Sequence, residues 1–312
     1  MTLHPQAEAL VGAVRGAPAP VLDDEHLAEL RQGFAAITAL GAGAAPALHA
    51  VRDLRIPGPG GERPARLYAP SGDDGLGVLV WLHGGGWVLG DLDVADPIAR
   101  QLAVAAGCLV VSLDYRLAPE HPFPAGLDDV WNGLRWVAAH ARELGGDPSR
   151  LAIGGDSAGG NLAAVAALLA RDAGAPRLAL QLLVYPGIDQ ALATGSYREH
   201  GEGLLLTAAH MRWFHDCYLR GGAGEGDWRV SPLRAADHSG VAPAFVVLAE
   251  HDVLRDEGAA YGRALAGAGV LVDVRVYAGQ IHVFFGLPAL FDAARDAMAD
   301  AGAAVRAAFG EG

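Results

Sequence analysis

Short apolar runs alternate with helical patterns along most of this chain, and that alternation limits the folds open to it. Continuous runs of Val, Leu and Ile between helices are typical of a mainly parallel sheet covered on both faces. The predicted strands are Val51–Ile56, Arg63–Tyr68, Val78–Leu82, Cys108–Leu113, Leu151–Ile153, Leu178–Val184, Ala244–Ala249 and Leu271–Tyr277. The predicted helices among the later strands are Pro97–Ala106, Leu127–His140, Gly159–Ala170, Glu257–Ala268 and Pro288–Phe309.

Two regions lie outside this alternation. The first 45 residues are helix-like, because Leu27, Leu30 and Phe34 follow helical spacing. The segment 191–238 contains no clear strand and is rich in aromatic residues: Trp213, Phe214, Tyr218 and Trp228. Such a long insertion is usually a cap or lid, and a stabilising helical surface excursion is the alternative. The predicted organisation is a cap made of residues 1–45 and 191–238, and a core made of residues 46–190 and 239–312.

The charge of the chain excludes two classes of partner. The formal net charge is −13, and there is no run of Lys or Arg. Its field would repel a phosphate backbone or an anionic membrane, so neither nucleic acid nor membrane is an expected partner. No stretch approaches 18 uninterrupted apolar residues, and residues 1–20 lack the features of a secretory signal. We therefore expect a soluble, cytoplasmic protein.

The chain has two cysteines, Cys108 and Cys217. Cys108 opens a predicted core strand, and Cys217 lies in an aromatic-rich helical stretch. In a reducing compartment two buried thiols are favoured over a structural disulfide, although the sequence leaves the disulfide open. The spacing of Cys and His matches no metal site, so no metal ligand is predicted.

The segment Gly155–Gly159 (Gly-Asp-Ser-Ala-Gly) matches the pattern G-x-S-x-G. It follows a predicted strand and opens a predicted helix, which is the setting that a nucleophile elbow requires. Such a turn strains the serine, and glycines on both sides avoid collisions with the crowded backbone. A Gly-rich junction used only for close packing is the alternative. We predict that Ser157 is a nucleophile at a helix N-terminus, where the dipole favours negative charge.

Three glycines follow another apolar strand, in the segment His83–Trp87 (His-Gly-Gly-Gly-Trp). Unshielded backbone N–H groups stabilise a tetrahedral oxyanion, each by roughly 3 to 4 kcal/mol in other enzymes. The predicted donors are Gly85, Gly86 and Ala158. A phosphate-binding loop is the alternative, but neither a Walker lysine nor G-x-G-x-x-G accompanies this segment. His83 is expected to hold the glycine loop by hydrogen bonds.

A serine hydroxyl needs a base, and the base needs an orienting carboxylate. The chain has twelve histidines, so chain order and strand ends must choose among them. In α/β-hydrolases the order is Ser, acid, His. Asp252 follows the seventh predicted strand and His282 the eighth, so both should emerge beside Ser157 at the carboxyl edge of the sheet. Glu250 and Asp256 are rival acids.

Together these motifs resemble the hormone-sensitive lipase family of bacterial esterases. The resemblance rests on His83–Trp87, Asp114–Glu120, Gly155–Asn161, Asp252–Glu257 and Ile281–His282. It implies an α/β-hydrolase fold with a mostly parallel eight-stranded sheet, flanking helices and a helical cap. It also implies the same triad and the same oxyanion donors, while the segment Asp114–Glu120 is expected to brace the loops of the site.

The resemblance implies a serine carboxylesterase that hydrolyses short- to medium-chain carboxylic esters through an acyl-enzyme intermediate. Its partner would be a small-molecule ester, and no metal or organic cofactor is required. A homodimer is suggested by resemblance alone. The alternatives are an amidase, arylformamidase or lactonase with the same triad, and a receptor that binds a small molecule on this scaffold without turnover.

One position departs from the family pattern. The family often has glycine after the histidine, where this chain has Val283, a side chain able to narrow the pocket. The candidate pocket residues are Trp87, Val88, Leu206, Met211, Trp213, Phe214, Val283 and Phe284. For each of them, ordinary core or cap packing is the alternative.

Overall fold

In the part of the chain that the structure describes, eight strands joined in one sheet form the centre of the protein. They are β1 (Ala50–Ile56), β2 (Arg63–Ala69), β3 (Leu76–Leu82), β4 (Leu109–Leu113), β5 (Gly146–Asp156), β6 (Leu180–Val184), β7 (Ala244–His251) and β8 (Val272–Ile281). The computed structural model describes residues 2–16, 20–222, 224 and 226–310. Met1, residues 17–19 of the predicted N-terminal cap, residues 223 and 225 of the predicted insertion, and residues 311–312 lie outside the described residues.

The sheet has the strand order β1-β2-β4-β3-β5-β6-β7-β8. β2 pairs antiparallel with β1 and with β4, and every other neighbouring pair is parallel. The prediction of a mostly parallel eight-stranded sheet is therefore confirmed. β8 lies at one edge.

Helices cover both faces of this sheet. They are α1 (Pro5–Val14), α2 (Leu27–Ala42), α3 (Leu92–Ala106), α4 (Ala125–His140), α5 (Ala158–Ala173), α6 (Gly195–His200), α7 (Ala208–Tyr218), α8 (Arg255–Gly267) and α9 (Asp292–Ala308). Successive side chains of β3 point to opposite faces of the sheet and belong to two separate core clusters. Val80 packs with the buried faces of α4, α5, α7 and α8, and Trp81 packs with those of α1, α3 and α9.

The predicted elements are present, but several boundaries shift. β5 runs from Gly146 to Asp156 instead of Leu151 to Ile153, and β8 continues to Ile281 instead of ending at Tyr277. The helix predicted from Pro97 begins at Leu92, because the Asp91 carboxylate accepts hydrogen bonds from the first turn. The helix predicted from Pro288 begins at Asp292 instead. The residues predicted as its first turn do not join the helix, because the Ala289 N–H donates to a carbonyl of α2 instead.

The insertion between β6 and β7 is helical, as predicted. Outside residues 223 and 225, it contains α6, α7 and two short 3₁₀ helices, Arg220–Gly222 and Pro232–Arg234. Its described residues include no strand.

Three further observations concern membranes, metals and thiols. None of the helices in the described ranges combines the length and apolar character needed to cross a membrane. Over the same ranges, no group of three or more His, Cys, Asp or Glu side chains is placed to hold a metal ion. Cys108 and Cys217 are both buried and do not form a disulfide with each other.

Two helical glycines give opposite predictions for substitution by alanine. A Cβ at Gly302 of α9 would lie 2.6 Å from the backbone of Ala105 in α3, whereas a Cβ at Gly33 of α2 meets nothing within 4 Å. We expect Gly302→Ala to lower the free energy of unfolding by about 1 to 3 kcal/mol through overpacking. Gly33→Ala should raise it by about 0.5 to 1 kcal/mol, because alanine is the better helix former.

Urea unfolding of the two variants beside wild type measures both changes. Equal effects of the two substitutions would contradict the close contact between α3 and α9.

Candidate active site

The register of the parallel strands brings distant segments together at the carboxyl edge of the sheet. Leu82 near the end of β3 pairs with Gly155 of β5, so the glycine loop and the serine turn start side by side. His251 of β7 pairs with Ile281 of β8, so the candidate acid and base are the next residues on neighbouring strands. Strand pairing alone therefore places the predicted groups close together.

Ser157 lies in a tight turn between β5 and α5. Its backbone has φ 56° and ψ −116°, a conformation that a non-glycine residue adopts only under strain. The Ser157 N–H donates to the Val184 carbonyl at 2.8 Å, which holds the turn. A Cβ at Gly159 would overlap the Leu82 carbonyl oxygen, so the turn can approach β3 only with glycine there.

Ser157, His282 and Asp252 form one hydrogen-bonded series. His282 Nε2 lies 3.1 Å from Ser157 Oγ, and His282 Nδ1 lies 2.7 Å from Asp252 Oδ2. The other carboxylate oxygen of Asp252 accepts the Leu254 N–H at 3.0 Å, which fixes the orientation of the carboxylate. All three side chains are buried, and Ser157 keeps 9% of its surface exposed. The structure thus brings together the three residues that the sequence selected.

The rival acids are occupied elsewhere. Glu250 Oε2 accepts the Gly279 N–H at 2.7 Å. Asp256 accepts the Ser196 N–H at 2.8 Å and pairs with the Arg255 guanidinium. Asp252 is therefore the carboxylate that orients His282.

The predicted oxyanion donors have no competing acceptors. Gly85 and Gly86 have φ values of 115° and 62°, and their N–H groups bond to no acceptor in the described part of the chain. Ala158 is the first residue of α5, where a helix leaves its N–H groups unpaired. A Cβ at Gly86 would overlap the ring of Phe214 in α7, so glycine is required here for space as well as for conformation.

Asp156 ties the serine turn to the glycine loop. Its Oδ1 accepts the Gly84 N–H at 3.0 Å. Burial raises the pKa of Asp156 to about 6, although the His282 ring and the Gly84 N–H both favour the ionised form. The carboxyl is thus mainly ionised at neutral pH, when it holds the glycine loop most strongly.

His83 and Tyr115 brace the same loop. His83 Nδ1 lies 2.8 Å from the Gly84 carbonyl oxygen, as expected of a structural histidine. Tyr115 stacks on the His83 ring at 4.5 Å and donates its hydroxyl to the His83 carbonyl at 2.7 Å. The segment Asp114–Glu120 therefore braces the site, as predicted.

Tyr185 is a site residue that the sequence reasoning missed. It follows β6 with φ 33°, and its ring lies 4.4 Å from the His282 ring. Burial raises the pKa of its phenol well above the usual value of 10, so the ring stays neutral beside the base. Its place directly after a parallel strand, at the same edge as Ser157, is the signal that could have found it.

Asn161 belongs to the motif Gly155–Asn161, but the sequence reasoning assigned it no role. Its Nδ2 donates to the carbonyls of Gly187 at 2.7 Å and Val230 at 3.0 Å. It thereby fastens α5 to the loop after β6 and to the end of the insertion.

Most of the candidate pocket residues lie in the cluster that contains α7. Phe214 packs on Gly86, and Trp87 stacks on Tyr218 with ring centroids 4.7 Å apart. Met211 is buried in the same cluster, while Leu206 and Trp213 are half-buried against it. These side chains form an apolar region beside the glycine loop.

Two candidate pocket residues need correction. Val88 and Phe284 are both 0% exposed, so neither offers a surface for a substrate to touch. Phe284 packs on Tyr185 and Tyr277, in the cluster with α3 and α9 rather than the one with α7. Apolar character beside a motif does not distinguish a core residue from a pocket residue.

Val283 is half-buried and has φ 71° and ψ −6°. A β-branched residue in this left-handed region is a genuine outlier, since its side chain crowds the backbone. Glycine would adopt the same conformation without strain. The position therefore favours glycine sterically, and this chain keeps valine next to His282.

Comparisons with known proteins agree with this geometry. A family model described as the alpha/beta hydrolase fold matches residues 79–286, which include the glycine loop, the serine turn and the acid–base pair. The chain belongs to this family. The resemblance to hormone-sensitive lipase-like esterases is likewise confirmed by relatives within the α/β-hydrolases.

Three of these relatives are similar over most of their length. Carboxylic ester hydrolase LipN of Mycobacterium tuberculosis is 44% identical, over 92% of this chain and 78% of that protein. Ethyl acetate hydrolase of Pseudomonas putida is 38% identical, over 96% of both chains. The structure of ester-hydrolase EH1AB1 from the metagenome of Lake Arreo has a TM-score of 0.94 and 39% identity, covering 99% of this chain and 100% of that chain.

The raised pKa of Asp156 predicts a pH-dependent effect of Asp156→Asn. Between the ordinary value of 3.8 and about 6, this carboxyl binds more protons in the folded than in the unfolded protein. Its contribution to stability therefore falls as pH rises through that window. Relative to wild type, the free energy of unfolding of Asp156→Asn should increase by about 1 kcal/mol between about pH 5 and pH 7.5. Urea unfolding at both pH values measures this, and a decrease would contradict the raised pKa.

Proposed function

We propose that this protein is a serine carboxylesterase that hydrolyses short- to medium-chain carboxylic esters through an acyl-enzyme intermediate. The observation that carries the proposal is the hydrogen-bonded series from Ser157 through His282 to Asp252. The relatives support it, because two of them are named for carboxylic ester and ethyl acetate hydrolysis. The substrate is a small-molecule ester, and the chemistry uses groups of the chain itself.

Acylation begins when His282 Nε2 takes the Ser157 hydroxyl proton and the oxygen attacks the ester carbonyl. Asp252 holds the other ring nitrogen, which keeps the imidazole oriented and stabilises the imidazolium that forms. His282 then gives the proton to the alkoxide leaving group. The products of this step are the free alcohol and the Ser157 acyl ester.

Deacylation repeats the sequence with water. His282 takes a proton from water, the resulting hydroxide attacks the acyl carbon, and the proton returns to Ser157 as the carboxylic acid leaves. In both steps Gly85, Gly86 and Ala158 donate their N–H groups to the oxyanion. These unpaired donors are held in place beforehand, so little reorganisation is needed as the charge develops.

We further infer that α1 and α2, together with the insertion that carries α6 and α7, act as a cap. Two contacts support this assignment. Arg31 of α2 donates to the Val88 carbonyl beside the glycine loop, and Phe214 of α7 covers Gly86. Ser157 itself is only 9% exposed, which favours small substrates over bulky ones.

A homodimer and a cytoplasmic location stay predictions of the sequence. The edge strand β8 supports the dimer, because Leu271 beside it and Val276 within it are 77% and 52% exposed. Unpaired edges of this kind can add a strand from a second copy.

The central test is Ser157→Ala, assayed with p-nitrophenyl acetate and butyrate. Removal of one triad member should lower kcat by a factor of at least about 10⁴, because no other group can form the acyl-enzyme. Circular dichroism checks that the variant folds. Turnover by the folded variant equal to wild type would remove Ser157 from the chemistry.

The matched control is Ser112→Ala, a buried serine of β4 outside the site. It should keep its activity. A panel of esters, anilides and lactones separates the esterase from the amidase, arylformamidase and lactonase alternatives. A fluorophosphonate that labels wild type but not Ser157→Ala argues against a receptor without turnover.

We also infer that Val283 narrows the acyl pocket next to His282. Val283→Gly should raise kcat/KM for hexanoate relative to acetate esters by about tenfold, since each extra methylene in an apolar pocket is worth 1 to 3 kcal/mol. Leu192→Gly is the control, because Leu192 also has a positive φ of 51° but does not adjoin a triad residue. An unchanged acyl-chain profile in Val283→Gly would contradict the role of Val283.

A further inference from the structure

Arg31 of α2 makes an unusual set of bonds for a residue of the N-terminal segment. Its Nε donates to the Val88 carbonyl at 3.0 Å. Its two terminal nitrogens each donate to one carboxylate oxygen of Glu120 at 2.8 Å, and Nη2 also lies 3.4 Å from the Ala118 carbonyl oxygen. The side chain is two-thirds buried. A bidentate pair of this kind fixes the direction of the guanidinium plane, and therefore the direction of Nε–H.

Val88, whose carbonyl accepts the hydrogen bond from Arg31, is itself hydrogen-bonded to the glycine loop. The Val88 N–H donates to the Gly85 carbonyl at 3.1 Å, and the Leu89 N–H donates to the same oxygen at 2.8 Å. On the other side, the Ala118 N–H donates to the Trp87 carbonyl at 2.9 Å. Arg31 therefore contacts Val88, which is hydrogen-bonded to Gly85, and also Ala118, which is hydrogen-bonded to Trp87.

The Gly85 carbonyl matters because it shares a peptide group with the Gly86 N–H. A peptide group is planar and trans, so its C=O and N–H point in opposite directions. Whatever fixes the Gly85 oxygen therefore aims the Gly86 N–H, which is one of the proposed oxyanion donors. Gly85 and Gly86 have no side chains of their own to restrain this plane.

We propose that Arg31 is a positioning residue for the oxyanion hole, acting through Val88 on the peptide that carries the Gly86 N–H. The inference rests on the proposed esterase function for its kinetic effect. It adds that one side chain connects α2 to the alignment of an oxyanion donor. If α2 shifts relative to the core, the Gly86 N–H then loses its alignment.

The kinetic test is Arg31→Met, with p-nitrophenyl acetate as substrate. An oxyanion donor acts in the transition state more than in the ground state, so kcat should fall about tenfold while KM changes less than about threefold. Arg31→Lys should recover part of the loss, because a lysine can donate to Val88 but lacks the bidentate fork. This conservative variant also keeps the test open if Arg31→Met folds poorly.

Arg220→Met is the matched control. Arg220 forms an equally bidentate pair with Asp24, at 2.7 and 2.9 Å, and so also anchors the N-terminal segment. It has no bond to residues 85–89 among the described contacts. We expect Arg220→Met to keep the wild-type kcat. Equal losses of kcat in the two variants would overturn the proposal, since Arg31 would then only anchor the helix.

Hydrogen exchange measured by mass spectrometry provides a readout that needs no turnover. Peptides covering residues 83–90 should exchange faster in Arg31→Met than in wild type or Arg220→Met. Unchanged exchange there, or a higher KM with an unchanged kcat, would also overturn the positioning role. If wild type fails to hydrolyse esters, the proposed function is wrong, and the exchange data still decide whether Arg31 holds the loop.

Discussion

Parallel strand pairing is the constraint on which the rest of this site depends. Two residue pairs set where four loops leave the sheet: Leu82 lies opposite Gly155, and His251 lies opposite Ile281. A slip of one residue in either pair would turn the following side chain to the other face. The catalytic geometry is thus fixed first by backbone hydrogen bonds, and side chains such as Asp156 and Tyr115 refine it.

Backbone strain is concentrated where the site lies. Among the residues that the structure describes, five non-glycine residues have positive φ, and four of them are Trp87, Ser157, Tyr185 and Val283. Each is in, or next to, the glycine loop, the serine turn or the base. Such conformations persist only where the surroundings over-determine them. Here the surroundings are two close-packed core clusters on either side of the sheet, so the rigidity of the core sustains the strained edge.

The sequence predicts those parts of the protein that depend on local pattern or chain order. Examples are the apolar strand runs, the G-x-S-x-G turn, and the positions of Asp252 and His282 after strands. The structure agrees with these predictions. The pocket residues depend on which way a side chain points. Val88 and Phe284 look apolar and close to a motif, yet they are core. Arg31 escaped notice because its importance comes only from contacts with residues far away in the chain, whereas Tyr185 stands directly after β6, a position that the sequence reasoning did not use.

The contact between Phe214 and Gly86 joins the proposed pocket to the proposed oxyanion hole. The ring belongs to α7 of the insertion, and it packs against Gly86, one of the proposed oxyanion donors. The proposed pocket and the proposed oxyanion hole therefore share one side chain. Under that proposal, substitutions that reshape the pocket from α7 also disturb turnover, so variation in specificity is most easily accommodated at positions that do not touch the glycine loop.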